Sequence, residues 1–166
     1  MPTTAKNMVK LEFYTSNDEP KLESYDLTLQ QREFTSSPLE AIKLCEEDHS
    51  RFPIVILYKD KLAGFFVLHG WEGVQVYSKN EEAILIRAYS ISNEYQGKGI
   101  AQTSLQLLAP FVKKHFPEKK EIILAVNHQN TIAQHVYKKC GFVDKGIRVM
   151  GRKGEQFVYH KDISED

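Results

Sequence analysis

Two glycines flanking one lysine, Gly97-Lys98-Gly99, lie between a β-rich run (Glu82 to Ile91) and a long amphipathic pattern that begins at Ile100. No other feature restricts the chain as tightly. A glycine-rich strand-to-helix turn lets the backbone come close to a ligand without Cβ obstruction. Its outward N–H groups and the positive end of the following helix dipole favour an anion such as a phosphate or pyrophosphate. Lys98 adds a charge. On the glycines alone, an ordinary structural turn explains the pattern equally well. The motif is not a Walker loop, because Gly99 follows the Gly-Lys pair where Ser or Thr is required, and the G-x-G-x-x-G spacing of dinucleotide sites is absent.

The flanking segments supply the rest of an α/β chain. Lys10 to Tyr14 alternates as a short strand, and Thr15 to Asp26 is polar. Leu27 to Phe34 reads as a short helix. Ser37-Pro38-Leu39-Glu40 carries a capping box with proline at the first helical position. The stripe expected behind it is Leu39, Ile42 and Leu44 or Cys45. Phe52–Tyr58 and Leu62–His69 read as a hairpin, and Gly70 to Asn80 as a polar connection. The helix from Ile100 presents Leu105, Leu108, Ala109, Val112 and Phe116, with Pro110 expected to kink it or break a hydrogen bond locally. Ile122 to Val126 is a buried strand. Asn130 to Lys139 is a second amphipathic helix ended by Gly141, and a hairpin turning at Gly151-Arg152-Lys153-Gly154 closes the chain. This order predicts an α/β (α+β) fold: one domain over residues 1–166, with a mixed, mostly antiparallel sheet flanked by helices.

Composition narrows the function. The 22 basic and 22 acidic side chains cancel, so the basic excess of a nucleic-acid binder is missing. No apolar run reaches the ~20 residues of a membrane span, and Met1 to Lys10 lacks the apolar core of a secretory signal. The chain is read as cytoplasmic, with fraying expected in the first seven and last four residues. Cys45 and Cys140 match no zinc spacing and are read as reduced thiols, and the six histidines show no metal spacing. No metal is assigned.

Gln96-Gly97-Lys98-Gly99-Ile100-Ala101 resembles the Q/R-x-x-G-x-G/A signature of the GNAT family of N-acetyltransferases. Ile91 to Tyr95 is similar to that family's strand exit into the loop. Asn130, Ala133, Tyr137 and Gly141-Phe142 match its second motif in spacing. The resemblance is firm over residues 84–143 and implies a GNAT-like acyl-CoA fold with splayed central strands. It also implies that the backbone of Gln96, Gly97, Lys98, Gly99, Ile100 and Ala101 holds the pyrophosphate of acetyl-CoA. The strand edge at Tyr89, Ser90 and Ile91 would pair with the pantetheine arm, Asn130 would bond the cofactor or its loop, and Tyr137 would lie near the thioester sulfur. Family members are often dimers, so a homodimer is among the assemblies implied.

Acyl transfer from a thioester needs a neutral amine, a site for the developing oxyanion and a proton for the leaving thiolate. Unpaired N–H groups on the splayed strand are candidates for the oxyanion contact. A phenol is protonated at neutral pH, which suits Tyr137 as general acid; without the second motif it reads as a half-buried tyrosine on an amphipathic face with Ile132, Ala133 and Val136. Many relatives carry a carboxylate base on the strand before the loop. Here the only charge there is Arg87, which binds an anionic substrate group or pairs with a carboxylate. Glu81, Glu82, Glu94 and His69 are weaker base candidates, more simply read as surface or capping groups. Glu46-Glu47-Asp48 and Asp18-Glu19 could attract a cationic amine, though solvated charge explains them as well. The resemblance thus implies acetyl transfer to a small-molecule amine. The C-terminal hairpin, similar to that of polyamine and antibiotic acetyltransferases, ranks a polyamine or aminoglycoside first. An acyl-CoA-binding module without turnover and a protein lysine or N-terminal acetyltransferase are the alternatives.

Overall fold

A computed structural model describes residues 8–164. The first seven residues lie outside it, as do the last two. Of the four C-terminal residues expected to fray, Ile163 is buried and its N–H donates to the Lys120 carbonyl at 2.9 Å.

Seven strands form one sheet in the order β1-β2-β3-β4-β5-β7-β6. They are β1 (Val9–Phe13), β2 (Arg51–Tyr58), β3 (Lys61–His69), β4 (Ala83–Ile91), β5 (Glu121–Asn127), β6 (Val143–Gly151) and β7 (Gly154–Asp162). All neighbours are antiparallel except β4 and β5, which run parallel. A parallel pair needs a crossover, supplied here by the long helix between them.

The helices are α1 (Leu29–Phe34), α2 (Pro38–Glu47), α3 (Trp71–Val74), α4 (Ile100–His115) and α5 (Thr131–Lys139). Packed on one face, α4 and α5 bury Ile100, Leu105, Leu108 and Val112 against Ile84, Ile86, Ile122 and Leu124. On the other face, α2 and a 3-10 segment (Ser16–Ser24) cover Val55, Leu57, Phe65 and Val67. There, α3 sets Val74 and Trp71 against Leu85 and Ile123, so the expected polar connection contains a helical turn with a core contact.

The Ser37 capping box forms, with the Glu40 N–H donating to Ser37 Oγ at 3.2 Å. The buried face of α2 is Pro38, Ala41 and Ile42 with Cys45 half-buried, whereas Leu39 and Leu44 are exposed. The expected stripe was offset because burial follows the i, i+3, i+4, i+7 spacing from the proline. Pro110 lies on the exposed side of α4, and the helix runs through it from Ile100 to His115 without interruption. Gly141 (φ 97°) closes α5 in a Schellman motif: its N–H donates to the Lys138 carbonyl, and that of Phe142 to Tyr137, both at 3.1 Å.

Candidate active site

Strands β4 and β5 pair at only three positions, Ala83↔Glu121, Ile84↔Ile122 and Leu85↔Ile123. Beyond Leu85 they diverge, β4 staying with β3 and β5 with β7, which opens a gap in the middle of the sheet. A bulge bends β4 at the point of divergence. Its register against β3 shifts between Phe65 and Val67, and Ala88 takes φ 56°. Such a conformation is costly for a residue with a Cβ, and bulges of this kind re-aim side chains. Before the bulge the even-numbered Ile84 and Ile86 face α4; after it the odd-numbered Tyr89 and Ile91 do.

The glycine loop stands at the end of β4. Gly97 and Gly99 both have φ 78°, and a Cβ at either would meet nothing within 4 Å. Packing therefore does not require glycine here; the left-handed backbone does. Among the described residues, the N–H groups of Gly97, Lys98, Gly99, Ile100 and Ala101 have no hydrogen-bond acceptor, while the Thr103 N–H returns to the Gly99 carbonyl at 3.1 Å. An open row of N–H donors at a helix N-terminus fits a pyrophosphate. The Gln96 side chain folds back instead, its Nε2 donating to the Ile91 carbonyl at 2.8 Å.

The edge of β4 at Ile91 is already satisfied in a telling way. Gln31, on α1, accepts from the Ile91 N–H at 2.9 Å and donates to its carbonyl at 3.0 Å. This edge therefore accepts an amide, but the Ile91 N–H is not the unpaired donor expected for an oxyanion. Tyr25 donates to the Ser90 carbonyl at 2.9 Å and shares a 2.8 Å bond with Ser90 Oγ. Asp26 and Asn93 join through the Asn93 N–H and the Asp26 carbonyl at 2.7 Å. None of Tyr25, Asp26 and Gln31 carried a sequence signal, because isolated polar residues in an N-terminal segment have no periodicity to read.

Tyr137, on α5, meets the Tyr89 ring edge-on at a centroid distance of 6.4 Å and thus stands against the diverging half of β4. Its hydroxyl has no hydrogen-bond partner among the described residues, and burial raises its pKa above the ordinary 10.0, which keeps the proton on. Tyr89 is pinned instead: its hydroxyl bonds Ser104 Oγ and donates to the Ala101 carbonyl at 3.2 Å. Asn130 caps α5, its Oδ1 accepting from the Ala133 N–H at 3.3 Å, and its amide nitrogen has no hydrogen-bond partner among the described residues.

The opposite mouth of the gap is a cavity of about 190 Å³ reached between β4, β5 and the α1–α2 connection. Arg87, Arg51, Tyr77, Ser36 and Gln156 line it, and no Asp or Glu does. Glu81, Glu82 and Glu94 are exposed, so no carboxylate stands where a base on β4 would. His69 is buried rather than at the surface. Burial, and then the Arg51 charge, hold its pKa below the usual 6.5. Among the described residues, no group of His, Cys, Asp and Glu could hold a metal, and no helix is long and apolar enough to cross a membrane.

The chain belongs to the Acetyltransferase (GNAT) family, which matches residues 12–142, and is an acetyl-CoA-dependent acetyltransferase. It is 42% identical over 153 residues to YbbJ of Bacillus subtilis (strain 168), an uncharacterized N-acetyltransferase, covering 92% of this chain and 96% of that one. Among solved structures, aminoglycoside acetyltransferase AAC(6')-Ib with coenzyme A and kanamycin superposes at a TM-score of 0.74 with 18% identity, over 93% of this chain and 94% of that one. RimL, a ribosomal L7/L12 alpha-N-protein acetyltransferase, superposes at 0.69 with 18% identity, over 98% of each chain. One architecture thus serves both small-molecule and protein acceptors, and the acceptor has to be argued from the site.

Proposed function

We propose that this protein transfers the acetyl group of acetyl-CoA to a primary amine of a small molecule by direct attack, with Tyr137 as general acid. The observation that carries the reading is the partner-free, protonated Tyr137 hydroxyl placed against the diverging half of β4. In this reading the backbone of Gln96 to Ala101 binds the pyrophosphate, and the edge from Tyr89 to Ile91 receives the pantetheine amides. The Gln31 carboxamide seated on Ile91 is a stand-in for such an amide. Asn130 Nδ2 completes the cofactor side. The amine nitrogen attacks the thioester carbon from the cavity side and the carbon–sulfur bond breaks. The sulfur takes the Tyr137 proton, the nitrogen gives up its own to solvent, and the tyrosinate regains a proton from solvent. A cavity of about 190 Å³ is below the ~300–1,000 Å³ common for drug-sized ligands, which supports a small acceptor over a peptide. The two unpaired cysteines fit a reducing, cytoplasmic setting.

The test combines calorimetric titration with acetyl-CoA and free-thiol release against a panel of amines. The wild-type protein is expected to bind acetyl-CoA and release thiol. Tyr137→Phe should retain acetyl-CoA affinity while kcat falls on the order of 10²-fold, the usual size of a general-acid contribution. Turnover unaffected by Tyr137→Phe removes the acid role, and failure to bind acetyl-CoA removes the whole reading.

A further inference from the structure

The acceptor cavity has an unbalanced charge. Arg87 leaves β4 beside the bulge, and its Nη1 lies 3.2 Å from His69 Nδ1. A guanidinium can only donate, so Nδ1 accepts and the imidazole proton sits on Nε2. From there it is donated to Asp48 Oδ2 at 3.0 Å. The same carboxylate oxygen takes Arg51 Nε at 3.2 Å, and the other takes the Ser50 N–H and hydroxyl at 2.9 and 2.6 Å. Asp48 is therefore fully occupied and neutralises Arg51, while Arg87 rests on a neutral imidazole and forms no ion pair among the described residues. The groups acting on Arg87 are Arg51, Asp48, His69, Tyr77 and Cys45; counting Arg87 itself, two cations stand against one anion.

A half-buried guanidinium without a carboxylate is unfavourable unless something else supplies the negative charge. Among the described residues, only one of its five donors is engaged. The support behind it is rigid: a Cβ at Gly73 would come within 2.2 Å of His69 Nδ1, so α3 presses a bare glycine against the ring. A polar chain that orients an arginine and leaves its fork facing a cavity is an arrangement for binding an oxyanion.

We infer that the acceptor is an amine that also carries an oxyanion, carboxylate or phosphate, and that Arg87, supported by Arg51, binds it. The inference rests on the acetyltransferase reading above and names its substrate class. Asp48 and His69 are positioning residues. A polyamine or aminoglycoside would meet like charge in this cavity, with no carboxylate in its lining to offset it.

Matched acceptors test this: amino acids against their amides, and aminoethyl phosphate against ethylamine, with spermidine and kanamycin as polycations. Acetyl-CoA binding is measured first, then binding of each amine to the CoA-loaded protein, then thiol release. The oxyanion-bearing member of each pair is expected to show at least tenfold higher kcat/KM, and the two oxyanion arms tell carboxylate from phosphate. In Arg87→Met that ratio should collapse towards unity through KM, and Arg87→Lys should restore part of it. Arg51→Met, which keeps Arg87 in place, should reduce the ratio less. The proposal is overturned if neutral or polycationic amines are preferred, if the ratio survives in Arg87→Met, or if no anionic amine binds the CoA-loaded protein. In each of those cases acetyl-CoA binding still stands and the acetyltransferase reading is untouched, whereas loss of acetyl-CoA binding removes both.

Discussion

Gly99 carries a conformational demand that no neighbouring atom imposes. Its φ of 78° lies where a residue with a Cβ is strained, and the space around it is empty. Replacing it with alanine should cost about 1–2 kcal/mol of stability through the backbone alone. If the loop holds a pyrophosphate, the acetyl-CoA Kd should also rise at least tenfold, because the N–H row shifts and a methyl group enters the approach path. Thermal melts and calorimetry on Gly99→Ala separate the two; a lower melting temperature with unchanged Kd would return the loop to an ordinary turn. At this scale the sequence was informative wherever a residue type is nearly obligatory. The two loop glycines and the Gly141 closure all stand in the left-handed conformation their type suggests. Arg87 was legible only as a charge in an apolar strand. Its partner is a histidine 18 positions earlier in the chain, which no local spacing could reveal.

The behaviour of β4 belongs to the element scale. A strict period-2 reading of AILIRAYSI puts Arg87 and Tyr89 on one face, and the bulge at Ala88 separates them. Tyr89 then packs on the α4 side with Phe66, at 5.9 Å between ring centroids, and Arg87 lines the cavity on the other. The amphipathic readings of α4 and α5 were close: Ala133, Val136 and Tyr137 pack against the core, although Ile132, expected on that face, is exposed. Helix α1 makes a further demand. Its Gln31 occupies the same N–H and carbonyl of Ile91 that the pantetheine arm would use. If the pantetheine arm takes this edge as proposed, Gln31→Ala removes a competitor for it. The variant is expected to melt at a lower temperature without ligand, to bind acetyl-CoA several-fold more tightly, and to gain more in melting temperature on saturation than the wild type. Weaker binding would mean instead that Gln31 stays in place and helps hold the ligand.

For the whole molecule, the relevant coupling is between the buried polar chain and pH. The folded pKa of His69 lies below its ordinary 6.5, so below that pH the unfolded chain takes up a proton that the folded one refuses. Its contribution to stability is complete above about pH 6.5, declines as pH falls, and stops changing once the folded pKa is passed. The carboxylates act lower. Ser50, His69 and Arg51 hold Asp48 well below its usual 3.8, and Arg148 holds Asp144 down to about 2. Their stabilisation is present above the unfolded value and lost as pH falls through the folded ones. Melting temperatures between pH 8 and pH 4 should begin to fall near 6.5 in the wild type, and His69→Gln should lack that first decline. Identical curves would show that His69 does not titrate in this range.

The amino-acid order alone determined the alternation of strands and helices, the glycine loop between a strand and a long helix, and the second motif on the following helix. Those features depend on neighbours within a few residues: side-chain periodicity, caps, and the one residue type that tolerates positive φ. Tertiary structure decided where β4 leaves β5, which face Tyr89 takes after the bulge, and that α1 places Gln31 on Ile91. It also decided that Asp48, His69 and Arg87 form one chain at the acceptor cavity. These contacts join residues tens of positions apart, and their geometry follows from how the sheet closes and splits rather than from any local pattern.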